Sequence, residues 1–279
     1  MSTATLHDGA TIDVEISGTG PAVVMALNPV PVEGTQADEM RRWGVDPALG
    51  RNLIDGLADR HQVIAADYEG HVLAHPKPDT LTPDNISADL LAIADASGAS
   101  RFVYYGYSWL ALAGLQLALR TDRLEGLAMG GYPPIGGPYP EMLAVTRATH
   151  ELSTTEQKPA EAPDPHAELD WDTAEVTMTE PQTRQFVTLY EELDGFDDRA
   201  VQKGLSHPRL CFAGSSDRIE YGPRWGNVVV DIAGPLLNNR SELEDAGWQV
   251  RILDGLDHVQ AMQAANVLPV LRPWLEAIR

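Results

Sequence analysis

Short apolar runs of strand length alternate along this chain with longer stretches in which apolar residues recur at helical spacing. Ala22 to Leu27 (AVVMAL), Gln62 to Asp67 (QVIAAD), Phe102 to Tyr105, Leu124 to Met129, Arg209 to Ala213 (RLCFA) and Trp248 to Leu253 have the first character. Continuous apolar runs bounded by turn residues are the signature of strands buried on both faces. Between them, Asp46-Pro47 predicts a helix reaching about Arg60. Thr82-Pro83-Asp84 predicts another, which Ser97-Gly98 stops near Ala96. In both, a capping side chain is followed by proline, whose fixed φ suits a first helical turn. Trp109 to Arg120 is apolar on every side and predicts an enclosed helix. Further helices are predicted over Val228 to Leu237, Arg240 to Ala246 and Val267 to Arg279. The last has Pro269 near its start and Pro273 inside, where a kink is expected. At the N-terminus, Thr3 to Leu6 and Thr11 to Ile16 flank Asp8-Gly9, and TIDVEIS alternates, which predicts a hairpin. Such alternation specifies an α/β fold: a mostly parallel twisted sheet with an N-terminal antiparallel hairpin and helices on both faces.

The rhythm breaks after Gly131. Residues 132–207 open with Pro133, Pro134, Gly136, Gly137, Pro138 and Pro140, continue into a short helix near Glu141 to Glu151, and then turn polar around Pro159, Pro163 and Pro165. Helices are predicted again near Pro181 to Leu193 and Asp197 to Gly204. Residues 151–200 hold 14 acidic and three basic side chains. The segment reads as a cap inserted after the sixth strand, dividing a core of residues 1–131 and 208–279. A disordered acidic loop is an equally good reading of Thr155 to Asp170. Internal repeats are not apparent.

Composition narrows the field. A chain of 279 residues buries roughly 70 to 75% of its unfolded surface in one domain and needs no staples. Its single cysteine, Cys211, lies in an apolar run and reads as an inert core residue. The net charge of −21 opposes phosphate backbones and anionic lipid surfaces, so neither nucleic acid nor membrane is an expected partner. The N-terminus lacks a basic region followed by an apolar stretch, and a soluble, cytoplasmic protein is the expectation. The oligomeric state is open, a homodimer included.

The reactive residues fall in equivalent places. Gly106-Tyr107-Ser108 interrupts the strand that begins at Phe102 and precedes the enclosed helix. A serine on so sharp a turn is held strained, with its hydroxyl exposed and a helix N-terminus behind it. Asp217 follows the strand Arg209 to Ala213, and His258 follows Trp248 to Leu253. In a parallel sheet all three reach one edge, where ligands bind. A serine hydroxyl needs a base within hydrogen-bond reach, and that base needs a carboxylate to fix its tautomer and stabilise its cation. Glu220 is an alternative to Asp217, and Asp257 should point away from the imidazole into solvent. His71 and His75 have metal-ligand spacing, but Pro76 and Pro78 argue against a helix there and no third ligand is evident, so neither metal nor other cofactor is expected.

With these residues in view, the chain resembles the α/β-hydrolase superfamily over nearly its whole length. Gly106-Tyr107-Ser108-Trp109 matches the nucleophile elbow, Gly214-Ser215-Ser216-Asp217 resembles the acid loop, and Asp254-Gly255-Leu256-Asp257-His258 the histidine loop. Asp67-Tyr68-Glu69-Gly70-His71 is similar to the segment common after the fourth strand. The resemblance implies Ser108 as nucleophile, His258 as general base and then acid, and Asp217 as its orienter. Two departures stand out. Leu110 occupies the place of the usual small residue two after the serine, with Ala111 and Gly114 left to restore clearance. Asn28-Pro29 replaces the usual His-Gly after the third strand, and since proline has no N–H, the expected oxyanion donors are the backbones of Trp109 and Val30. Asn28, Tyr107, Tyr132, Tyr139 and His71 are expected to line the pocket, with Tyr221 and Trp225 as further aromatic candidates. The expected activity is hydrolysis of carboxylic esters or lactones of neutral, largely apolar substrates through an acyl-enzyme. Carbon–carbon bond hydrolysis on the same scaffold, another secondary-metabolism step, or a non-catalytic ligand-binding member are the alternatives.

Overall fold

A computed structural model describes residues 2–155 and 176–278; the polar stretch around Pro159, Pro163 and Pro165 lies outside them. The described residues form ten strands: β1 Ser2–Thr5, β2 Thr11–Ser17, β3 Ala22–Met25, β4 Gln62–Ala65, β5 Phe102–Tyr107, β6 Leu124–Gly130, β7 Arg209–Gly214, β8 Arg218–Glu220, β9 Val229–Asp231 and β10 Trp248–Leu253. Eight of them form one sheet in the order β1-β2-β4-β3-β5-β6-β7-β10. The strands from β4 to β10 in that order run parallel, and β1 and β2 are the antiparallel edge. The period-two alternation of a strand divides each central strand between two cores. Phe102 and Tyr104 of β5 face one, with Val24, Ile64, Leu127 and Cys211. Val103 and Tyr105 face the other, with Met25, Val63, Ala128 and Phe212.

Helices cover both faces: α1 Gly34–Arg42, α2 Leu49–Asp55, α3 Tyr68–Ala74, α4 Pro83–Ala96, α5 Trp109–Ala118, α6 Tyr139–Thr154, α7 Glu180–Glu192, α8 Asp198–Val201, α9 Ala233–Asn238, α10 Arg240–Asp245, α11 His258–Ala261 and α12 Ala264–Ala277. The capping signals at α4 act as expected, with the Thr82 hydroxyl accepting from the Asn85 N–H at 3.3 Å. From Leu110 to Leu117 every residue of α5 is buried, which is why its sequence has no polar face. Among the described residues no helix is long and apolar enough to cross a membrane. Cys211 is buried, and burial pushes its thiol well up, away from reactivity.

Four sequence expectations are corrected. The helix after Asp46-Pro47 starts at Leu49 and ends at Asp55, because the Asp46 carboxylate accepts from the Ala48 N–H in a turn of its own. The helix α1 was not expected; it buries a single residue, Ala37, so its sequence carries no apolar stripe. Val228 to Leu237 is not one helix: Val229–Asp231 pairs with β8 as a short hairpin, and α9 begins only at Ala233. His71 does lie on a helix, α3, which ends before His75 and the prolines.

Candidate active site

The strand β5 ends in the elbow. Ser108 takes φ 56° and ψ −132°, a region that costs a residue with a Cβ on the order of 1–3 kcal/mol and persists only where the surroundings enforce it. The enforcement is visible. The Ser108 N–H donates to the Gly130 carbonyl at 2.8 Å, tying the turn to the end of β6. The Tyr104 hydroxyl donates to the Leu110 carbonyl at 3.0 Å, holding α5 against β5. Glycine at 106 is required, because a Cβ there would stand 2.3 Å from the Leu110 carbonyl oxygen. Clearance behind Leu110 comes from Gly114, where a Cβ would meet the Tyr104 ring at 2.6 Å. The elbow therefore keeps its strained form despite a leucine two places after the serine.

Asp217 and His258 approach from β7 and β10. Their loops are stitched together: the Ser215 N–H donates to the Leu253 carbonyl at 2.9 Å, the Ser216 N–H to the Leu256 carbonyl at 3.0 Å, and the Gly255 N–H to the Ser215 hydroxyl at 2.8 Å. The His258 Nδ1 lies 3.0 and 2.9 Å from the two Asp217 carboxylate oxygens, and Asp217 is 0% exposed. A fully buried carboxylate needs such a partner, and the contact leaves Nε2 as the free nitrogen of a half-buried ring. Glu220, by contrast, is exposed on β8 and pairs with Arg218 at 3.2 Å. Asp257 is exposed and caps α11, accepting from the Gln260 N–H at 2.7 Å.

Tyr107 joins the two halves. Its hydroxyl donates to the His258 carbonyl at 2.8 Å, and its ring lies 5.1 Å from the imidazole. Gly130 and Gly131 make room for that ring, since a Cβ on either would stand 2.5 or 2.6 Å from its carbons. Tyr107→Phe removes one hydrogen bond, for which about 1 kcal/mol is typical. The expected result is a loss of about 1 kcal/mol of stability, read as a lowered urea midpoint.

Two cavities meet at this edge. One, of about 390 Å³, is lined by Asn28, Val32, Met40, Leu53, Glu69 and Met262 among others. The other, of about 310 Å³, lies under α6 and α7 and is lined by Tyr132, Met142, Phe186, Tyr190, Tyr221 and Ile232 among others. Ser108, Trp109 and His258 line both. A third cavity, about 700 Å³, sits at the opposite edge of the sheet among Pro21, Arg101, Leu124 and Pro208, away from these side chains. Among the described residues, no group of three or more His, Cys, Asp and Glu side chains is arranged to hold a metal ion.

Of the expected pocket residues, Asn28 and Tyr107 line the first cavity, and Tyr132 and Tyr221 the second. Tyr139 and His71 line neither. Tyr139 is buried with its ring 5.9 Å from Tyr132 and 5.6 Å from Phe196, and the His71 ring packs 5.1 Å from His75. Trp225 also lines neither, its indole donating to the hydroxyl of Thr149, which lines the second. The Val30 N–H, expected as an oxyanion donor, donates to the Asn28 Oδ1 at 2.9 Å, and the residue is 56% exposed. That loop is fixed by Arg51, which donates to the Pro29 carbonyl at 2.7 Å, and by Gly50, where a Cβ would come within 1.9 Å of the Asn28 oxygen. Among the described residues the Asn28 N–H itself has no hydrogen-bond acceptor.

Sequence reasoning missed Glu69 and Phe186. Glu69, at an exposed position, accepts from the Trp109 indole at 2.8 Å. Phe186 of α7 stands edge-on to the Trp109 ring at 5.5 Å. Both contacts join residues distant in the chain, which local patterning does not report.

Comparison with solved structures agrees with the topology. The chain is similar to an esterase from Thermogutta terrifontis at 15% identity, with a TM-score of 0.61 and coverage of 99% of this chain and 97% of that one. It is similar to an enol-lactonase from Burkholderia xenovorans LB400 at 16% identity, TM-score 0.57, covering 98% and 99%. An epoxide hydrolase from Vigna radiata matches at 14% identity and TM-score 0.59, covering 99% and 97%. No family model and no curated protein matches the sequence. The chain has the α/β-hydrolase fold.

Proposed function

We propose that this protein is a serine hydrolase of carboxylic esters or lactones. The observation that carries the reading is that a strained Ser108 and His258 line the same two cavities, with the His258 ring held at 2.9 Å by the wholly buried Asp217. Ser108 Oγ attacks the carbonyl carbon while its proton passes to His258 Nε2, and Asp217 holds the Nδ1–H and stabilises the imidazolium. The oxyanion of the tetrahedral intermediate is met by the Trp109 N–H, an unsatisfied donor at the start of α5, and by the Asn28 N–H in place of Val30. Collapse breaks the bond to the alcohol oxygen, which takes the proton from His258. Water then releases the acid by the same steps.

Residues 132–155 and 176–207 act as a cap, supplying through Met142, Tyr190 and Phe186 one wall of the second cavity. Among the described residues no lysine or arginine lines either cavity, while Asp46, Asp67 and Glu69 line the first. Anionic substrates are repelled by such a lining, and neutral ones are favoured. The three structural neighbours named above act, by their descriptions, on esters, enol-lactones and epoxides. The test is pre-steady-state hydrolysis of p-nitrophenyl esters: a burst of p-nitrophenol stoichiometric with enzyme supports the acyl-enzyme, and no turnover of any ester or lactone in a broad panel overturns the reading.

A further inference from the structure

Among the described residues, Trp109 is the largest side chain that lines both cavities, and it is held from two sides. Glu69, at the start of α3, accepts its indole N–H at 2.8 Å. Phe186, from the middle of α7, packs against its ring edge-on at 5.5 Å. The two supports are themselves fixed to one another: the buried Gln185 donates to the Val72 carbonyl at 3.0 Å, and Gln182 donates to the Leu73 carbonyl at 2.7 Å, so α7 is bonded to the end of α3. The ring is thus clamped by a closed circuit of contacts, in a place where an unsupported side chain would swing between rotamers.

The volumes give this clamp a meaning. The cavities on its two sides measure about 390 and 310 Å³, and a cavity of about 150 Å³ already holds a benzene molecule. Each side therefore takes a group larger than a phenyl ring, and, Trp109 aside, the described residues that line both are the serine and the imidazole-bearing His258. The second side is apolar and aromatic; the first combines aliphatic walls from Val32, Met40 and Leu53 with the carboxylates of Asp46, Asp67 and Glu69.

We propose that Trp109, clamped between Glu69 and Phe186, is the partition that determines specificity, and that the substrates are esters with a bulky group on each side of the cleaved bond. Each half is confined to its own lobe, the purely apolar half to the lobe under α7. This inference rests on the hydrolase reading and goes beyond it in assigning the substrate class and the residue that sets it.

The experiment compares two esters of the same small alcohol, one with a phenyl-sized acid and one with a steroid-sized acid that exceeds either lobe alone. The wild-type protein and variants are compared by kcat/KM for the esters and by calorimetric Kd for the matching non-hydrolysable ketones. In the wild-type protein the smaller acid is preferred by about 100-fold, the scale on which pocket size discriminates. Trp109→Ala, which joins the lobes, is expected to shrink that preference to about tenfold or less. Trp109→Phe, which keeps the edge contact with Phe186, shrinks it less and serves if the alanine variant does not fold. Glu69→Ala moves the ratio in the same direction by a smaller factor, and Glu69→Gln, which restores an acceptor, brings it back. An unchanged preference in folded Trp109→Ala, or in Trp109→Phe if only that variant folds, overturns the partition. If no ester is turned over but the ketone affinities shift as expected, the hydrolase reading falls and the partition stands.

Discussion

Ser108→Ala is expected to lower kcat for ester hydrolysis by about 10⁴- to 10⁶-fold, the range in which loss of a nucleophile acting with its base falls. In the proposed mechanism the hydroxyl is the atom that becomes acylated, and among the described residues the serines of the acid loop offer no replacement: Ser215 is committed to the Gly255 N–H, and the Ser216 N–H ties that loop to Leu256. The backbone should not change, since alanine has the same difficulty at φ 56° as serine. Ser108→Gly separates the two properties. It loses activity equally but relieves the strained backbone, and is expected to gain about 1 kcal/mol of stability, seen as a raised urea midpoint. Wild-type turnover by folded Ser108→Ala, checked by circular dichroism, ends the case for this nucleophile.

Asp217→Asn should cost about 10⁴-fold in kcat with substrate affinity nearly intact. The carboxylate accepts the His258 Nδ1–H from a wholly buried position, 2.9 Å away. An amide can turn its N–H₂ toward that nitrogen instead, which selects the wrong tautomer and leaves the imidazolium without a counter-charge. Glu220 cannot take over, since it is exposed and paired with Arg218. Kinetics of the single variant beside Glu220→Gln measure this directly: the first falls steeply and the second stays within about twofold. The reverse pattern transfers the acid role to Glu220.

Much of this site was legible because the parallel sheet converts a sequence pattern into a place. Each continuous apolar run marks a strand, and Ser108, Asp217 and His258 each follow one, so their common edge follows from strand direction alone. Gly106 was readable as well, its need for no Cβ arising from the sharp turn into α5. Elements with weak hydrophobic signatures were hidden. The helix α1 buries one residue, and the hairpin β8–β9 is too short and apolar a run to be told from a helix by periodicity. The Val30 N–H is taken up locally, the Asn28 side chain closing a turn onto it, a habit of asparagine that chain position does not report. Glu69, Phe186 and their hold on Trp109 were out of reach because only tertiary packing brings α3 and α7 to the elbow.

The central claim is that Ser108 is made nucleophilic by its neighbours across the sheet edge, and covalent labelling tests it most directly. An alkyl fluorophosphonate incubated with the intact protein, followed by peptide mapping, should give one adduct per chain, on Ser108, absent from Ser108→Ala and formed far more slowly in Asp217→Asn. No adduct on the folded wild-type protein, or an adduct on another residue, contradicts it.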